Sequence, residues 1–467
     1  MTYKGNELSP EDDIAAIATP LVPSAIAVIR TSGPHSIERA ARVFSRPDAL
    51  MSAAGNTMVH GWVTGEGGQR VDEVVAGVWR GPKSFTGEDA VELFCHGGVA
   101  VVRSVYQLLL QEGFRQANRG EFTLRAFLSG KADLTQAEAT AEIIAGKTQA
   151  EALRAASRLT GELSRRLMHA RQLVVDCIGT IEVGVEYPED EGNISGEVDI
   201  APLTEAQEVL RELSSSWKAE RLYQDGVRVI LCGKSNAGKS SLFNALLKED
   251  RAITSSTAGT TRDWLEAWAD FAGLPVLLFD TAGLREAAEQ VEAEGVARTR
   301  ELTVSADAIV YVVDMASGVD SADIQYMKDT RERGTPVVLA ANKCDIAQGD
   351  GQLPSSASGA WDECARVSAK TGLGLASLVA KVKQLVLGEE AGEREAVGLG
   401  SERQRRCVVD ALAALDHAIE VAQTGALGLD AVVQDLEECL ACLAEITGET
   451  TTDDVLESIF SRFCVGK

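Results

Sequence analysis

The sequence predicts a multidomain protein with an N-terminal α+β domain, an all-α helical domain built from two chain segments, and an α/β domain inserted between those segments. Three observations support this prediction. The 467 residues exceed what one core usually organises, a phosphate-loop motif occupies residues 233–240, and the apolar pattern changes from strand-like to helical near Leu134. The expected domain boundaries are 1–130, 131–225, 226–386 and 387–467.

The composition is that of a globular protein, with 45% hydrophobic and 25% charged residues. The 45 Lys and Arg residues against 70 Asp and Glu residues give a net charge of −25, which opposes a surface that coats nucleic acid. Any contact with RNA must therefore use a local basic site or a partner protein. The nine cysteines lack paired metal-type spacing, and we expect Cys439 and Cys442, the one C-x-x-C pair, to be buried packing residues.

Targeting signals are also lacking in the sequence. No stretch is apolar for long enough to span a bilayer, and residues 1–7 have neither an apolar signal core nor an Arg-rich transit pattern. We therefore expect a cytoplasmic protein that makes no membrane contact.

The first 120 or so residues carry β-type runs separated by turn residues. These runs, at 26–30, 71–79 and 90–95, are rich in β-branched and other apolar residues. A Gly97-Gly98 turn precedes a helical pattern at 99–111. We therefore expect a compact α+β domain.

Helical periodicity follows. Apolar residues recur at three- and four-residue steps from Leu163 to Val185, which predicts one apolar helix face, and acidic, Gly and Pro residues at 187–192 break it. Further helical patterns cover 203–221, 407–421 and 429–446. We expect the helices on both sides of the central domain to pack into one helical domain.

Between residues 227 and about 386, strand-like runs alternate with helical patterns. The runs at 276–279, 308–313 and 336–341 indicate a parallel sheet wrapped by helices. Residues 348–358, rich in Gly, Ser and Pro, are expected to form a surface loop.

The motif G-x-x-x-x-G-K-[ST] is matched by Gly233-Lys234-Ser235-Asn236-Ala237-Gly238-Lys239-Ser240, between a β-branched run and a helical pattern that begins at Ser241. Its glycines let backbone N–H groups face an anion, and the helix N-terminus adds partial positive charge. We expect Lys239 to reach the β- and γ-phosphates and Ser240 to ligate Mg²⁺. The flanking strand and helix favour nucleotide binding over a chance Gly-rich turn.

The residues that read the base follow two later strands. Asn342-Lys343-Cys344-Asp345 comes after the run at 336–341, at the edge where α/β folds bind ligands. Asp345 can accept hydrogen bonds from N1–H and the 2-amino group of guanine, which adenine does not offer. Ser368-Ala369-Lys370, after a short strand at 365–367, suits a loop whose backbone contacts the guanine O6. The order of these motifs favours GTP over ATP.

Two more stretches match magnesium and γ-phosphate contacts. Asp280, in Asp280-Thr281-Ala282-Gly283, is placed to hold the water shell of Mg²⁺, and the Gly283 N–H can sense the γ-phosphate. Thr261, in Gly259-Thr260-Thr261-Arg262-Asp263, is the expected second protein ligand of Mg²⁺. Ordinary turn chemistry is the alternative for both stretches, and their order in the chain disfavours it.

Leu284 occupies the position where Ras-like GTPases carry a water-orienting Gln. Another group must therefore position the attacking water. The local candidates are acidic, and a solvated helix face is the alternative role for three of them: Glu286, Glu289, Glu292 and Glu294.

Further segments complete a pattern that is more specific than a GTPase motif set. They are Ser84-Phe85-Thr86-Gly87-Glu88-Asp89, His96-Gly97-Gly98, Arg119-Gly120-Glu121-Phe122, Arg125-Ala126-Phe127-Leu128 and the terminal Phe463-Cys464-Val465-Gly466-Lys467. With them, the chain resembles the MnmE (TrmE) family of tRNA-modification GTPases over nearly its whole length.

The resemblance implies an N-terminal domain that binds 5-formyl- or 5,10-methylene-tetrahydrofolate and forms the homodimer, a helical domain in two segments, and an inserted Ras-like G domain. It also implies a heterotetramer with an MnmG-type FAD/NADH flavoprotein that acts on tRNA. Such proteins install an aminomethyl or carboxymethylaminomethyl group on C5 of the wobble uridine (U34). Their G domains dimerise across the nucleotides when K⁺ is bound, and hydrolysis of GTP to GDP and phosphate follows.

By the same resemblance, the residues around K⁺ are Asn236, Ser255, Thr257 and Thr260, and the ion supplies the charge that an Arg finger otherwise gives. The folate positions are Arg30, Glu92, Lys131 and Lys467, whose charges suit a glutamate tail and the pterin N–H donors. The residues expected to act in the chemistry are Lys239, Asp280, Glu292 as the water-orienting residue, and Cys464, which is either a reactive thiol or a packing residue.

The predicted GTP contacts lie in the motifs described above and in the residues next to them. They are Asn236, Ala237, Gly238, Lys239, Ser240, Ser241, Ser255, Ser256, Thr257, Ala258, Gly259, Thr260, Thr261, Asp280, Thr281, Ala282, Gly283, Asn342, Lys343, Asp345, Ser368, Ala369 and Lys370.

Two stretches depart from the family pattern. Leu21-Val22-Pro23-Ser24-Ala25 stands where the family often has a Gly-rich stretch, which changes the local shape expected for the folate pocket. Ser255-Ser256-Thr257 replaces the usual Thr-Asp-hydrophobic of the potassium loop, a change that backbone carbonyl ligands survive.

Two other functional classes share part of this pattern. A ribosome-assembly GTPase with an RNA-binding accessory domain shares Asp-Thr-Ala-Gly-Leu and K⁺ use, but neither flank of this central domain is basic. A membrane-associated signalling GTPase requires lipidation or a basic amphipathic segment, and the sequence has neither.

Overall fold

A computed structural model describes residues 2–3, 6–7, 12–65, 67–186, 198–248, 265–280, 306–346, 359–388, 398–424 and 428–467. The chain forms two compact units. The first comprises Met1–Ala141, Arg158–Leu210 and Arg406–Lys467, and the second comprises Glu142–Ser157 and Arg211–Arg405.

The N-terminal part of the first unit contains eight described strands and four described helices. The strands are β1 Thr2–Tyr3, β2 Asn6–Glu7, β3 Ile14–Ile17, β4 Ser24–Ser32, β5 Thr57–Thr64, β6 Arg70–Trp79, β7 Ala90–Gly97 and β8 Arg115–Gln116. The helices are α1 Ser36–Arg42, α2 Pro47–Ser52, α3 Val99–Gln111 and α4 Glu121–Leu128. Strands β1 and β2 pair with each other, and the other six form a sheet in the order β5-β6-β7-β4-β3-β8.

This six-stranded sheet is antiparallel except where β3 pairs with β8. Along β4 the side chains of Ala27 and Ile29 are buried, whereas those of Val28 and Arg30 are only partly buried. Because successive side chains of a strand point to opposite faces, one face of the sheet packs into the core with α1 and α3, and Arg30 lies on the other face. The predicted runs at 26–30, 71–79 and 90–95 and the helix at 99–111 are confirmed.

The segment between the two sheets is helical. Its helices are α5 Leu134–Ala145, α6 Gln149–Leu159, α7 Glu162–Glu186 and α8 Ala201–Asp225. The predicted apolar face of α7 is buried at Leu163, Leu167 and Val174. The break predicted at 187–192 lies outside the described residues.

The central part of the second unit is an α/β sheet domain. Its strands are β9 Val227–Cys232, β10 Leu265–Phe271, β11 Leu274–Asp280, β12 Ala308–Asp314, β13 Val337–Asn342 and β14 Glu363–Arg366. Its described helices are α9 Lys239–Lys248, α10 Ser321–Glu332 and α11 Leu375–Leu387. The strand order is β10-β11-β9-β12-β13-β14, an open sheet with a Ras-like order.

Helices cover both faces of this sheet. Leu242 of α9 and Leu378 of α11 belong to the core on one face, and Met327 of α10 belongs to the core on the other. All described strand pairs are parallel except β10 with β11, so the predicted parallel sheet is correct apart from its antiparallel edge strand. The surface loop predicted at 348–358 lies outside the described residues.

The chain ends in helices α12 Glu402–Thr424, α13 Leu429–Thr447 and α14 Asp453–Phe460. Within the first unit, α13 packs against α7, and Arg171 of α7 forms an ion pair with Glu449 at 3.4 Å. Helix α14 packs against α4, where Phe460 and Phe463 share a core with Leu124. The C-terminal tail is thereby brought to the N-terminal sheet.

Candidate functional site

The phosphate-loop residues connect β9 to α9. Two of their glycines have backbone angles that favour glycine, with φ of +136° at Gly233 and +94° at Gly238. A Cβ at Gly233 would lie 2.1 Å from the carbonyl oxygen of Val312, and one at Gly238 would lie 2.2 Å from Nδ2 of Asn342. Both glycines are therefore required by close approach as well as by conformation.

Lys239, Ser240 and Ser241 form the first turn of α9. The Lys239 ammonium donates hydrogen bonds to the carbonyl oxygens of Gly233 at 3.0 Å and Lys234 at 2.8 Å, so it lies across the mouth of the loop. Ser240 and Ser241 are exposed at the helix N-terminus, where backbone N–H groups and the helix dipole favour an anion.

Asn342 connects the phosphate loop to the loop that follows β14. Its Nδ2 donates to the carbonyl oxygen of Ala237 at 2.9 Å, and its Oδ1 accepts from the amide of Ala369 at 3.0 Å. The Ser368 amide donates to the Leu373 carbonyl at 2.8 Å, which closes the second loop. Three of the motifs predicted from sequence therefore meet at one edge of the sheet.

Lys343 makes a second contact with the phosphate loop. Its ammonium donates to the carbonyl oxygen of Asn236 at 3.0 Å and to Oδ2 of Asp314 at 2.7 Å. Asn236 and Lys343 both adopt left-handed backbone conformations, with φ of +64° and +65°. Sequence reasoning missed Asp314, because its proximity to Lys343 follows from the strand register that pairs Asp314 with Asn342.

Asp280 ends β11 at the same edge of the sheet. Asp280 is buried, and it pairs in register with Leu231 of β9, the strand that leads into the phosphate loop. Asp345 and Lys370 are exposed on the loops after β13 and β14. Because the parallel strands β9, β11, β13 and β14 all end here, their terminal residues surround one ligand-binding edge.

Several predicted site residues lie outside the described part of the chain. They are Ser255, Ser256, Thr257, Ala258, Gly259, Thr260, Thr261, Thr281, Ala282, Gly283 and Glu292, together with Leu284, Glu286, Glu289 and Glu294.

A second cluster of predicted residues lies on the N-terminal sheet. Arg30 of β4 and Glu92 of β7 occupy paired register positions, and the guanidinium Nε donates to Glu92 Oε1 at 2.6 Å. Arg30 also donates to the carbonyl oxygen of Gly466 at 3.2 Å. The rings of Phe85 and Phe122 both have their centroids 5.7 Å from this guanidinium. A cation, a carboxylate and aromatic rings thus converge, a combination that suits a flat, polar heterocycle with an anionic tail.

The C-terminal tail forms one wall of this cluster. Val465 pairs with Arg119 in an isolated β-bridge, and the Lys467 amide donates to the Cys464 carbonyl at 3.4 Å. The thiol of Cys464 is exposed. Lys131 donates to the Pro82 carbonyl at 2.9 Å, on the loop that carries Phe85, and makes no described contact with Arg30 or Glu92. Of the variant stretch 21–25, Leu21 and Val22 are exposed.

An ion-pair network supports the loop that carries Phe85. Arg125 pairs with Glu88 at 3.0 Å and with Glu121 at 3.1 Å, and Arg115 pairs with Glu121 at 2.6 Å. Burial opposes ionisation of Glu121, but the hydrogen bond from Arg115, the amide of Asn118 and the two positive charges lower its pKa overall. Glu121 therefore stays charged and holds both arginines in place.

Of the predicted packing pair, Cys439 is buried, whereas Cys442 is only partly buried. Among the described residues, no group of three His, Cys, Asp or Glu side chains is arranged to hold a metal ion. Burial raises the pKa of Cys439 to about 12, which agrees with a packing role.

None of the described helices is long and apolar enough to cross a membrane.

Two family models match this chain. The MnmE helical domain matches residues 134–464, and the GTP-binding protein TrmE N-terminus matches residues 13–131. A protein of Treponema denticola described as tRNA modification GTPase MnmE is 44% identical over 98% of this chain and 98% of its own length. A protein of the same description from Carboxydothermus hydrogenoformans is 38% identical over 98% of this chain and 100% of its own. The chain therefore belongs to the MnmE family of tRNA modification GTPases.

Proposed function

We propose that this protein is a potassium-stimulated GTPase that acts with an MnmG-type flavoprotein to modify C5 of the wobble uridine (U34) of certain tRNAs. The product is an aminomethyl or carboxymethylaminomethyl group built from a tetrahydrofolate one-carbon unit. The observation that carries the proposal is the meeting of the phosphate loop, Asn342 and Ala369 at one sheet edge in a chain that matches the MnmE family over nearly its full length.

The geometry of this sheet edge supports the proposed nucleotide roles. Lys239 binds the β- and γ-phosphates, and Asp345 reads N1–H and the 2-amino group of guanine. The amides of Ala369 and its neighbours contact the guanine O6. The remaining contacts are those predicted from sequence, including the residues of 255–261 and 281–283, which lie outside the described part of the chain.

Magnesium fits the residues present at this edge. The Ser240 hydroxyl is exposed at the start of α9, and the buried carboxylate of Asp280 ends the strand beside β9. Hydroxyl and carboxylate oxygens are the donors that Mg²⁺ prefers. Ser240 and Thr261 are the proposed protein ligands, and Asp280 holds the ion's water shell. When bound, Mg²⁺ neutralises charge on the phosphates.

Potassium is proposed to bind at Asn236 together with Ser255, Thr257 and Thr260. Asn236 supports this because it is exposed on the phosphate loop, in a left-handed backbone conformation. An amide oxygen suits an alkali cation, and a cation next to the phosphates would offset the charge that develops in hydrolysis. Glu292 is the proposed water-orienting residue.

The folate is proposed to bind at Arg30, Glu92, Lys131 and Lys467. The contact of Arg30 with Glu92 and with the Gly466 carbonyl supports the site, because it joins two sheet strands to the C-terminal tail. Cys464, exposed on that tail, is the proposed residue for the modification chemistry. Its neighbourhood would then hold the one-carbon donor and the uridine together.

The assembly is proposed to be a homodimer formed by the N-terminal domain, with two flavoprotein subunits, in the cytoplasm. Large apolar side chains on the second face of the N-terminal sheet support dimerisation, since Ile26 is 61% exposed and Met58 is 63% exposed. The domain boundaries 1–130, 131–225, 226–386 and 387–467 remain part of this proposal.

The potassium requirement tests the nucleotide part of this proposal. GTP hydrolysis by the full-length protein should rise on the order of tenfold or more when K⁺ replaces Na⁺ at equal ionic strength. Asn236→Ala should bind GTP but show little response to K⁺. Equal wild-type rates in the two salts would overturn the potassium site.

A further inference from the structure

The phosphate loop is connected by side-chain contacts to β12, the strand next to β9 in the sheet. Strand β12 lies between β9, which leads into the loop, and β13, which ends at Asn342. Register pairs its last residue, Asp314, with Asn342. Asp314 is therefore placed by the sheet itself at the level where the loop and the base-reading motif begin.

Hydrogen bonds from the turn that follows β12 orient Asp314. Its Oδ1 accepts from the amide of Ala316 at 2.9 Å, and its carbonyl accepts from the amides of Ser317 and Gly318 at 3.0 Å each. Oδ2 is left to accept from Lys343 at 2.7 Å, and the same ammonium donates to the Asn236 carbonyl at 3.0 Å. Asp314, Lys343 and Asn236 thus form one chain of contacts.

Two residues in this series of contacts, Asn236 and Lys343, have a left-handed backbone conformation, which is energetically unfavourable for residues other than glycine. Asn236 and Lys343 have φ of +64° and +65°, and surrounding structure must over-determine such angles for them to persist. The charge-assisted hydrogen bond from Lys343 fixes the Asn236 carbonyl, and Asp314 fixes the ammonium.

A second set of ion pairs holds the phosphate loop at Lys234. Lys234 pairs with Asp320 and, at 3.0 Å, with Asp323, which is buried and also accepts from the Tyr311 hydroxyl at 2.7 Å. Asp320 and Asp323 form the capping box that begins α10. Lys234 contacts Asp320 and Asp323 directly, and Asn236 is linked to Asp314 through Lys343. Both neighbours of Ser235 are therefore held in place.

We propose that Asp314 is a positioning residue for GTP binding and hydrolysis, which holds the Lys343 ammonium on the Asn236 carbonyl and so keeps the phosphate loop in its left-handed turn. The inference rests on the proposed nucleotide site. A single, partly exposed ion pair of this kind contributes little to folding stability, so its effect is expected in nucleotide binding rather than in unfolding.

The test measures release of a fluorescent GDP analogue from the full-length protein, a step that involves no hydrolysis. Asp314→Asn should speed release by about tenfold, the change expected when one charge-assisted hydrogen bond is lost. Asp329→Asn, whose carboxylate accepts from Gln325 on α10, is the matched control and should release the analogue at the wild-type rate. Circular dichroism and the unfolding midpoint check that each variant is folded.

A double-mutant cycle separates positioning from a merely structural role. In a Lys343→Ala background, Asp314→Asn should change the release rate by less than about twofold, because its partner is gone. Asp314→Glu keeps the charge and should restore release to within about threefold of wild type. A wild-type rate in Asp314→Asn, or its full effect without Lys343, would overturn the proposal.

The K⁺ response distinguishes this inference from the proposed function. If the wild type is stimulated by K⁺, Asp314→Asn should need more K⁺ for half-maximal hydrolysis, because the Asn236 turn is loosened. Equal wild-type rates in K⁺ and Na⁺ would remove the potassium site but leave the release experiment to decide the role of Asp314.

Discussion

Asn342 donates a hydrogen bond from Nδ2 to the carbonyl oxygen of Ala237 at 2.9 Å. The same side chain accepts from the Ala369 amide, so one buried amide sets the spacing between the phosphate loop and the loop after β14. Because a lost partner would leave a buried polar group unsatisfied, this spacing is strongly held. The phosphate loop and the loop after β14 are thus parts of one edge of the sheet.

Base specificity should depend on Asp345, which is exposed three residues beyond Asn342. Asp345→Asn should lower GTP affinity by about tenfold to a hundredfold, because a charge-assisted pair of hydrogen bonds is lost. Affinity for xanthosine triphosphate should rise, since an amide can donate to its 2-carbonyl. Competition between the two nucleotides measures the shift, and an unchanged preference for GTP would remove Asp345 from base recognition.

The folate site should depend on Arg30 and leave the nucleotide site intact. Arg30→Ala should weaken binding of 5-formyl-tetrahydrofolate by about tenfold or more, because it removes a cation paired with Glu92 and in contact with two aromatic rings. Isothermal titration calorimetry measures the affinity. Arg42→Ala, which breaks the exposed pair with Glu38, is the control and should bind folate normally. Equal affinities in the two variants would contradict the assignment.

Thiol reactivity should single out Cys464. Iodoacetamide at neutral pH should label this exposed cysteine well before Cys95 and Cys439, because burial raises the pKa of each buried thiol to about 12. Peptide mass spectrometry reads the order of labelling. Cys464→Ser should lose tRNA modification while keeping GTP hydrolysis, and normal modification by this variant would reduce Cys464 to a structural role.

A histidine on the N-terminal sheet gives a pH-dependent prediction. The hydrogen bond between His96 Nδ1 and Asp72 Oδ1, at 2.7 Å, and the Asp72 charge raise the pKa of His96. A raised pKa in the folded state contributes stability that is complete below the ordinary histidine pKa and is lost as pH rises through the folded-state pKa. NMR titration should show the His96 pKa falling in Asp72→Asn. Identical titration in both proteins would show that the pair has no electrostatic effect.

Long periodic segments and ordered motifs were predictable from the sequence. The helix predicted at 99–111 matches α3, and the face from Leu163 to Val185 matches α7, because each repeats an apolar pattern over several turns. Strands β3 and β5 were not predicted. β3 has four residues, and β5 mixes His60, Gly61 and two threonines with its apolar residues, so neither carries a clear alternation.

Tertiary contacts account for what the sequence could not predict. Residues 142–157 belong to the second unit, where the Thr148 hydroxyl donates to the Gly273 carbonyl at 2.8 Å, although the sequence predicted them to lie in the helical segment 131–225. Phe85 approaches Arg30, and Asp314 approaches Lys343, through strand register and loop packing. Such pairs are distant in sequence, so residue spacing alone does not reveal them.

GTP hydrolysis by this protein is proposed to drive modification of the wobble uridine. Nucleoside analysis of tRNA from a deletion strain tests it most directly. Aminomethyl- or carboxymethylaminomethyl-type uridines should disappear on deletion, return with the wild-type gene and stay absent with Lys239→Ala, which removes the ammonium proposed to bind the phosphates. Unchanged uridine modification in the deletion strain would show that the protein is not required for this reaction.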